Sequence, residues 1–324
     1  MSSHTDVLIQ GAGPAGLFAA SWLAREGHSV LIQERPRASP LQRIEALGPD
    51  VLYYLRQIGL DRSWLSKVAQ PVPGTISRWS TEEEEYSDAM LNPHGHAWST
   101  RRDHFDSALR NHAQILGVQF TKEARQADII LTATGSETAK KAIITDKLIA
   151  FTRNYHCQNV LDLRLRIEAT PHGWWYAQPA PGGIIGLGFL TDRETIKGLN
   201  KEHVWQEMLP PSLVSILMSA QMQSPIHATS VTCALVSHSH HHIGNARASY
   251  DPLTGRGVAE ALRNTLETIS SLPHESGSKP TEIEQHYNAY LTERRQLYTL
   301  GFKRFKSDFW QRRITTPSSL VRSY

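Results

Sequence analysis

The stretch Asp6–Glu34, DVLIQGAGPAGLFAASWLAREGHSVLIQE, decides the fold. Val7–Gln10 is a short apolar run of the kind that is buried as a parallel strand. Gly11-Ala12-Gly13-Pro14-Ala15-Gly16 turns into a predicted helix that runs to Arg25, Gly27 stops it, and Val30–Gln33 is a second buried strand. Gly11 permits the sharp turn, Gly13 lets a pyrophosphate approach the backbone, and Gly16 lets helix pack closely on strand. The helix N-terminus adds unpaired N–H groups and the positive end of its dipole. Glu34 stands eighteen residues beyond Gly16, where a carboxylate accepts from ribose hydroxyls and repels a 2′-phosphate. A glycine turn alone is weak evidence. Strand, helix and acid in this order make it a dinucleotide site, without choosing between NAD and FAD.

Working outward, 324 residues suffice for a large core divided between two lobes. A formal net charge of +3 is too small over this length to argue for nucleic acid. No uninterrupted apolar run is long enough for a membrane span, and Met1–Asp6 does not read as a signal peptide. Cys157 and Cys233 lack ligand spacing, so they are expected as reduced thiols in a cytoplasmic protein.

Residues 41–66 carry apolar positions at helical spacing, predicting a helix and a turn; Arg43 there either reaches cofactor phosphates or is a solvated arginine. Thr75–Ser80 and Ala97–Thr100 read as extended, with the acidic run Glu82–Glu85 as a solvated tip. Arg102 opens a helix ending near Gly117, and Ala127–Leu131 is a buried strand running into Ala133-Thr134-Gly135. Residues 159–168 alternate; Trp174-Trp175-Tyr176 and Ile184–Leu190 form a hairpin about Pro181-Gly182-Gly183. Glu202–Met222 reads as helical, interrupted at Pro210-Pro211. His238, His240 and His242 share one strand face, and with no acidic or cysteine partner at standard spacing they are read as strand residues. Asp251-Pro252-Leu253-Thr254-Gly255-Arg256-Gly257 is a glycine-rich loop before a helix over Val258–Ser271. An aromatic and basic segment, Tyr287–Arg313, follows.

Four motifs in this order resemble the two-lobed FAD monooxygenases of the p-hydroxybenzoate hydroxylase class and the related flavin halogenases. They are GAGPAG with Glu34; Arg102 in R-x-x-F-D; Ala133-Thr134-Gly135; and Gly244-Asn245-Ala246 followed by Asp251–Gly257. In detail, NPHGHAWSTRRDHFD, HGWWYAQPAPGGIIGLGFLTD, YDPLTGRG and DFWQRR look like the flavoproteins that mature cysteine tryptophylquinone amino-acid oxidases, of the lysine oxidase and glycine oxidase type. The resemblance implies an α/β fold, α+β overall: a Rossmann-like FAD-binding domain with a parallel sheet plus a smaller antiparallel-sheet substrate domain. It places the FAD-binding domain in residues 1–70, 101–150 and 236–324, the last with C-terminal helices, and the substrate domain in 71–100 and 151–235.

The cofactor implied is FAD, held by Gly11, Gly13, Pro14, Ala15, Gly16, Glu34, Arg35, Arg43, Arg102, Thr134, Gly135, Asn245, Pro252, Gly255, Gly257 and Val258. The activity implied is hydroxylation of a tryptophan in a quinoprotein oxidase precursor, the glycine oxidase first, with an electron donor the sequence does not reveal. Trp174, Trp175 and Tyr176 are either the wall of the substrate cavity or sheet packing. Phe302–Arg313 either docks the precursor or caps the flavin domain. No catalytic acid or base is marked by spacing. Three departures from the family pattern stand out, one being that Gly117–Ala127 is too short for the β-meander usually inserted before ATG. Asn245 replaces the usual Asp, which predicts weaker flavin retention. No counterpart of the halogenase lysine segment is found, which argues against chlorination. The competing expectations are a small-molecule aromatic hydroxylase and a non-catalytic flavoprotein chaperone.

Overall fold

The computed structural model describes residues 5–35, 43–123, 125–135, 142–158, 160, 162–218, 220–236, 239, 241–272 and 280–315. β1 (Val7–Gln10), α1 (Pro14–Arg25) and β2 (Val30–Gln33) form where the opening stretch predicts them, with Leu17, Phe18 and Ile32 in one core.

The next segment departs from expectation. Ile44–Leu47 is a strand, β3, before α2 (Val51–Gln57) and α3 (Arg62–Val68). Its apolar spacing suits a helix, but Pro49 disfavours helical backbone at the residue before it, so the helix begins only afterwards. β4 (Ala69–Val72) follows, then β5 (Gly74–Arg78) and β6 (Glu85–Asp88), which pair antiparallel around the acidic tip. β7 (Ala97–Arg101) runs between β3 and β4 in a separate three-stranded sheet. α4 (Arg102–Ile115) leads to β8 (Gln119–Thr121) and β9 (Ile129–Thr132). The parallel sheet has the order β8-β2-β1-β9, and His242 extends it by a parallel bridge to Thr132. His238 and His240 lie outside the described residues.

The large sheet is built from β10 (Ile143–His156), β11 (Leu165–Thr170), β12 (Gly173–Ala180) and β13 (Ile184–Thr191). β12 and β13 are the predicted hairpin. α5 (Lys201–Met208) and α6 (Pro211–Leu217) break at the Pro210-Pro211 pair. β14 (Gln221–Met222), β15 (His227–Leu235) and β16 (Ala248–Ser249) complete the sheet, whose order is β16-β15-β10-β13-β12-β11-β5-β6, with β14 beside β10. The sheet is antiparallel except where β11 meets β5. The domain limits expected at residues 70 and 150 each fall inside a strand, β4 and β10.

α7 (Gly257–Ser271) returns to the parallel sheet, and α8 (Pro280–Phe305) and α9 (Asp308–Thr315) pack on the large one. Phe309 and Trp310 are buried there with Trp79, Trp174 and Tyr298. Trp310 donates its indole N–H to the Thr170 carbonyl at 2.9 Å. The DFWQRR segment is therefore a cap on the fold, with its aromatic rings turned inward. Trp310→Ala is expected to cost about 3–5 kcal/mol, read as a lowered urea midpoint of the FAD-loaded protein; a midpoint within error of wild type would contradict this packing.

Candidate functional site: a dinucleotide cradle between two glycine turns

Four segments converge at the C-terminal end of the parallel sheet. The β1–α1 turn comes first. Gly11 has φ +119°, and a Cβ there would lie 2.5 Å from the Ala133 carbonyl oxygen, so Gly11 brings the Ala133-Thr134-Gly135 turn alongside. A Cβ on Gly16 would collide with the Gly11 carbonyl. At Gly13 the space is open among the described residues, and a Cβ there would find Arg102 Nη2 at 4.0 Å. The N-cap of α1 is Gly13, which has no side chain to cap it. A cation facing an open helix end across a glycine is the geometry a pyrophosphate needs.

Arg102 is aimed by its neighbours. Its Nε donates to Asp106 at 2.8 Å and its Nη1 to Glu45 at 3.1 Å. Glu45 also holds Arg43. Burial pushes the Glu45 carboxyl up, but Arg43 and Arg102 outweigh it and hold it below the ordinary value. Asp106 and Arg110 follow Arg102 at four-residue steps on α4 and so share its face. Arg110 bonds Glu34 and lies over the Phe120 ring at 4.1 Å. The expected ribose acid is thus oriented by a guanidinium that the sequence reading did not name, although the i, i+4, i+8 spacing was visible. Arg35, next to Glu34, is exposed.

The third segment is the turn at Gly244. Ala15 of α1 sits under it: a Cβ on Gly244 would be 2.5 Å from the Ala15 Cβ. Asn264 of α7, also unnamed before, accepts from the Gly244 N–H at 2.7 Å. Asn245 is exposed beside this contact. The fourth is the loop Asp251–Gly257, with Pro252 exposed and Val258 buried behind it. Gly255 has φ +62°, and a Cβ on Gly257 would meet nothing within 4 Å. α7 likewise begins without a side-chain cap. The loop's anchor is Asp251, fully buried. It accepts from Leu253 N at 2.9 Å, Arg294 Nε at 2.8 Å and the Tyr298 hydroxyl at 2.9 Å, while its own N–H donates to Tyr290 at 2.7 Å.

The three aromatic residues of β12 part company. Trp175 points to the far face, stacked on Phe189 at 4.6 Å and edge-on to Trp205 at 5.0 Å under α5 and α6. Trp174 and Tyr176 alternate onto the near face. Trp174 is closed in by Trp79, Tyr298 and Trp310, and its indole N–H meets the Tyr298 hydroxyl at 3.1 Å. Tyr176 lies within the field of Glu45 and Arg43, and burial first, then Glu45, pushes its hydroxyl up to about 12. The sheet thus presents Tyr176 to the cradle and keeps both tryptophans as packing.

Two uncapped helices, open glycines at both turns and a guanidinium facing one of them fit an elongated anionic dinucleotide. Residues 4–158 match a family model described as the FAD binding domain. The cofactor this match supports is FAD. The flavin-dependent halogenase armH3 of Armillaria mellea is 35% identical to this chain over 203 residues, 62% of this chain and 37% of that one. The chain spans between 25% and 66% of the lengths of armH4, armH3, armH5 and armH2, halogenases of the same fungus. Among solved structures, the flavin-dependent halogenase CmlS superposes with a TM-score of 0.81 at 18% identity, covering 100% of this chain and 69% of that one. Peptidyl tryptophan dihydroxylase QhpG, essential for tryptophylquinone cofactor biogenesis, gives 0.77 at 20%, covering 99% and 81%. At these identities the structures show a shared fold.

Two predictions test the cradle. Glu34→Ala is expected to weaken FAD binding, read by equilibrium dialysis of the apoprotein; an unchanged affinity would remove the ribose role. Glu45 is depressed in the fold, so its contribution to stability is present above the unfolded value of 4.5 and is lost as pH falls through the lower folded value. Glu45→Gln should therefore melt earlier than wild type near neutrality, and the gap should close as pH falls below 4.5 and through the lower folded value. A gap that stays constant on acidification would show that Glu45 is not held as an anion.

Proposed function

We propose that this chain is an FAD-dependent monooxygenase acting on a tryptophan side chain of a partner protein, the precursor of a quinoprotein amino-acid oxidase. FAD, when reduced and exposed to dioxygen, supplies an electrophilic oxygen, and an indole ring is electron-rich enough to receive it. The chain's own work is positional. The N–H groups at the start of α7 and the turn at Gly255–Gly257 would favour negative charge on a flavin held against them. Arg102 and Glu34 would hold its phosphate and ribose. Tyr176, protonated throughout the working pH range, presents a neutral hydroxyl to the cavity.

The observation that carries this reading is the agreement of two things over nearly the whole chain. The quoted motifs resemble maturation flavoproteins of tryptophylquinone oxidases, and QhpG, a peptidyl tryptophan dihydroxylase, shares the fold over 99% of the chain. A second reading, small-molecule aromatic hydroxylation or halogenation, is favoured by the curated halogenase relatives. The missing lysine segment weighs against its halogenating form. Co-expression with a quinoprotein oxidase precursor separates the two. Oxygen is expected on one precursor tryptophan by peptide mass spectrometry, lost in Gly13→Val. Unmodified precursor, together with reductant-dependent turnover of a free aromatic, would favour the second reading. The cytoplasmic setting belongs to the same proposal; among the described residues no helix is long and apolar enough to cross a membrane.

A further inference from the structure

The three-stranded sheet carries two polar atoms that the fold itself leaves unused. Ser99 Oγ and Gln70 Nε2 are buried and have no hydrogen-bond partner, and Ser99 is 0% exposed. They are neighbours, because Gln70 pairs with Ser99 across β4 and β7, and Ser99 pairs with Ala46 across β7 and β3. Directly paired residues share a face, so Gln70, Ser99 and Ala46 form one row. Ala69, Trp98 and Leu47, the adjacent residues on the same strands, point the other way, into the core of the parallel-sheet lobe.

The row faces the catalytic cradle. The Ala46 methyl is 3.8 Å from where a Cβ would stand on Gly255, the glycine of the flavin loop. Ile44, on Ala46's face of β3, packs against Gly186 of β13 so tightly that no side chain fits there. Gly186 and Gly188 pair with Gln178 and Tyr176. The row of orphaned polar atoms therefore lies at the seam where the flavin loop meets the large sheet. A buried polar group without a partner costs stability, and a native fold keeps one where a ligand completes it.

The chemistry of the seam is neutral. It offers a hydroxyl at Ser99, an amide at Gln70 that donates or accepts by a flip of its end, and a protonated phenol at Tyr176. The arginines at the ends of these strands are committed: Arg43 to Glu45, and Arg101 to Asp103. A carboxylate entering here finds no uncommitted cation at those positions.

We infer that Ser99 and Gln70 form the substrate-recognition subsite of the flavin cavity, taking the ring N–H or hydroxyl of a neutral, electron-rich aromatic and discriminating against one that carries a carboxylate. The inference rests on the oxygenase reading and narrows its substrate class. A tryptophan side chain within a polypeptide meets the requirement, since its carboxyl is locked in a peptide bond.

The FAD-loaded protein is titrated with indole and with indole-3-carboxylate, following the absorbance and fluorescence of bound flavin. Indole is expected to bind saturably and indole-3-carboxylate at least about tenfold more weakly. Ser99→Ala and Gln70→Leu should each weaken indole by about fivefold, the effect of one hydrogen bond. Both should leave FAD retention intact and the melting temperature of the indole-free protein unchanged or higher, because each removes a buried atom with no partner. A purely structural pair would instead lower that temperature and leave indole binding alone, which overturns the subsite. Loss of FAD retention in either variant overturns it too, by assigning these atoms to the flavin, as does equal affinity for the two probes. Oxygen transfer is scored separately. Indole binding that is sensitive to both variants upholds the subsite even where no ring is oxidised, an outcome that removes the oxygenase reading alone.

Discussion

A buried chain of charges ties this molecule together. Asp251 in the flavin loop meets Arg294 of α8; Arg294 also bonds Asp146 of β10. Arg313 of α9 pairs with Asp146, its Nε at 3.0 Å and its Nη2 donating at 3.4 Å, and its Nη1 donates at 2.8 Å to Asp192 just beyond β13. Arg294 and Arg313 are each 2% exposed. Burial alone would lower the Arg294 guanidinium, but Asp251, Tyr298 and Asp146 more than reverse it. Charges this deep persist only when paired, and removing one member of such a pair typically costs about 3–5 kcal/mol. The flavin loop, the large sheet and the C-terminal helices are therefore bound by one condition: none can shift without leaving another's charge unpaired.

That condition explains why the aromatic C-terminal segment faces inward. Tyr298 bonds Asp251 through its hydroxyl, receives the Trp174 indole N–H, and packs on Trp310 at 5.5 Å. Arg313 lies 3.9 Å from the Phe309 ring centroid. The segment supplies the wall that fixes the loop, with little side chain left over for a partner. On the proposed reading, surface for a partner protein lies elsewhere, as does the route of an aromatic to the seam beside Gly255.

What the sequence showed was mostly local. The turn from Gly11 to Gly16, its strands and helix, and Glu34 all lie within one βαβ unit, where spacing and chemistry act over a few residues. The same holds for the β12–β13 hairpin and for α7. Pairings across the chain were not legible: Asp251 with Arg294, Gly244 with Asn264, Glu34 with Arg110. No period records which strand returns beside which. β10 and β15 were missed because their burial does not alternate: along β15 it is graded from exposed to buried, and in β10 the buried residues Leu148, Phe151 and Tyr155 fall three and four apart. For Trp174, Trp175 and Tyr176 the alternation was legible, yet which face met the flavin lobe was not, since both faces of β12 are covered.

Asn245 shows how such a departure is absorbed. An aspartate at that exposed turn would bring a negative charge to the open end of α1, where the field also draws the pyrophosphate. Asparagine keeps a carbonyl to accept a ribityl hydroxyl and gives up the charge. The turn is held from behind by Asn264, whose amide spans the Gly244 N–H and, at 3.3 Å, its carbonyl. Backbone position is thus secured independently of residue 245. The consequence expected of the substitution is therefore weaker flavin retention, with the shape of the cradle left as the glycines and Ala15 define it.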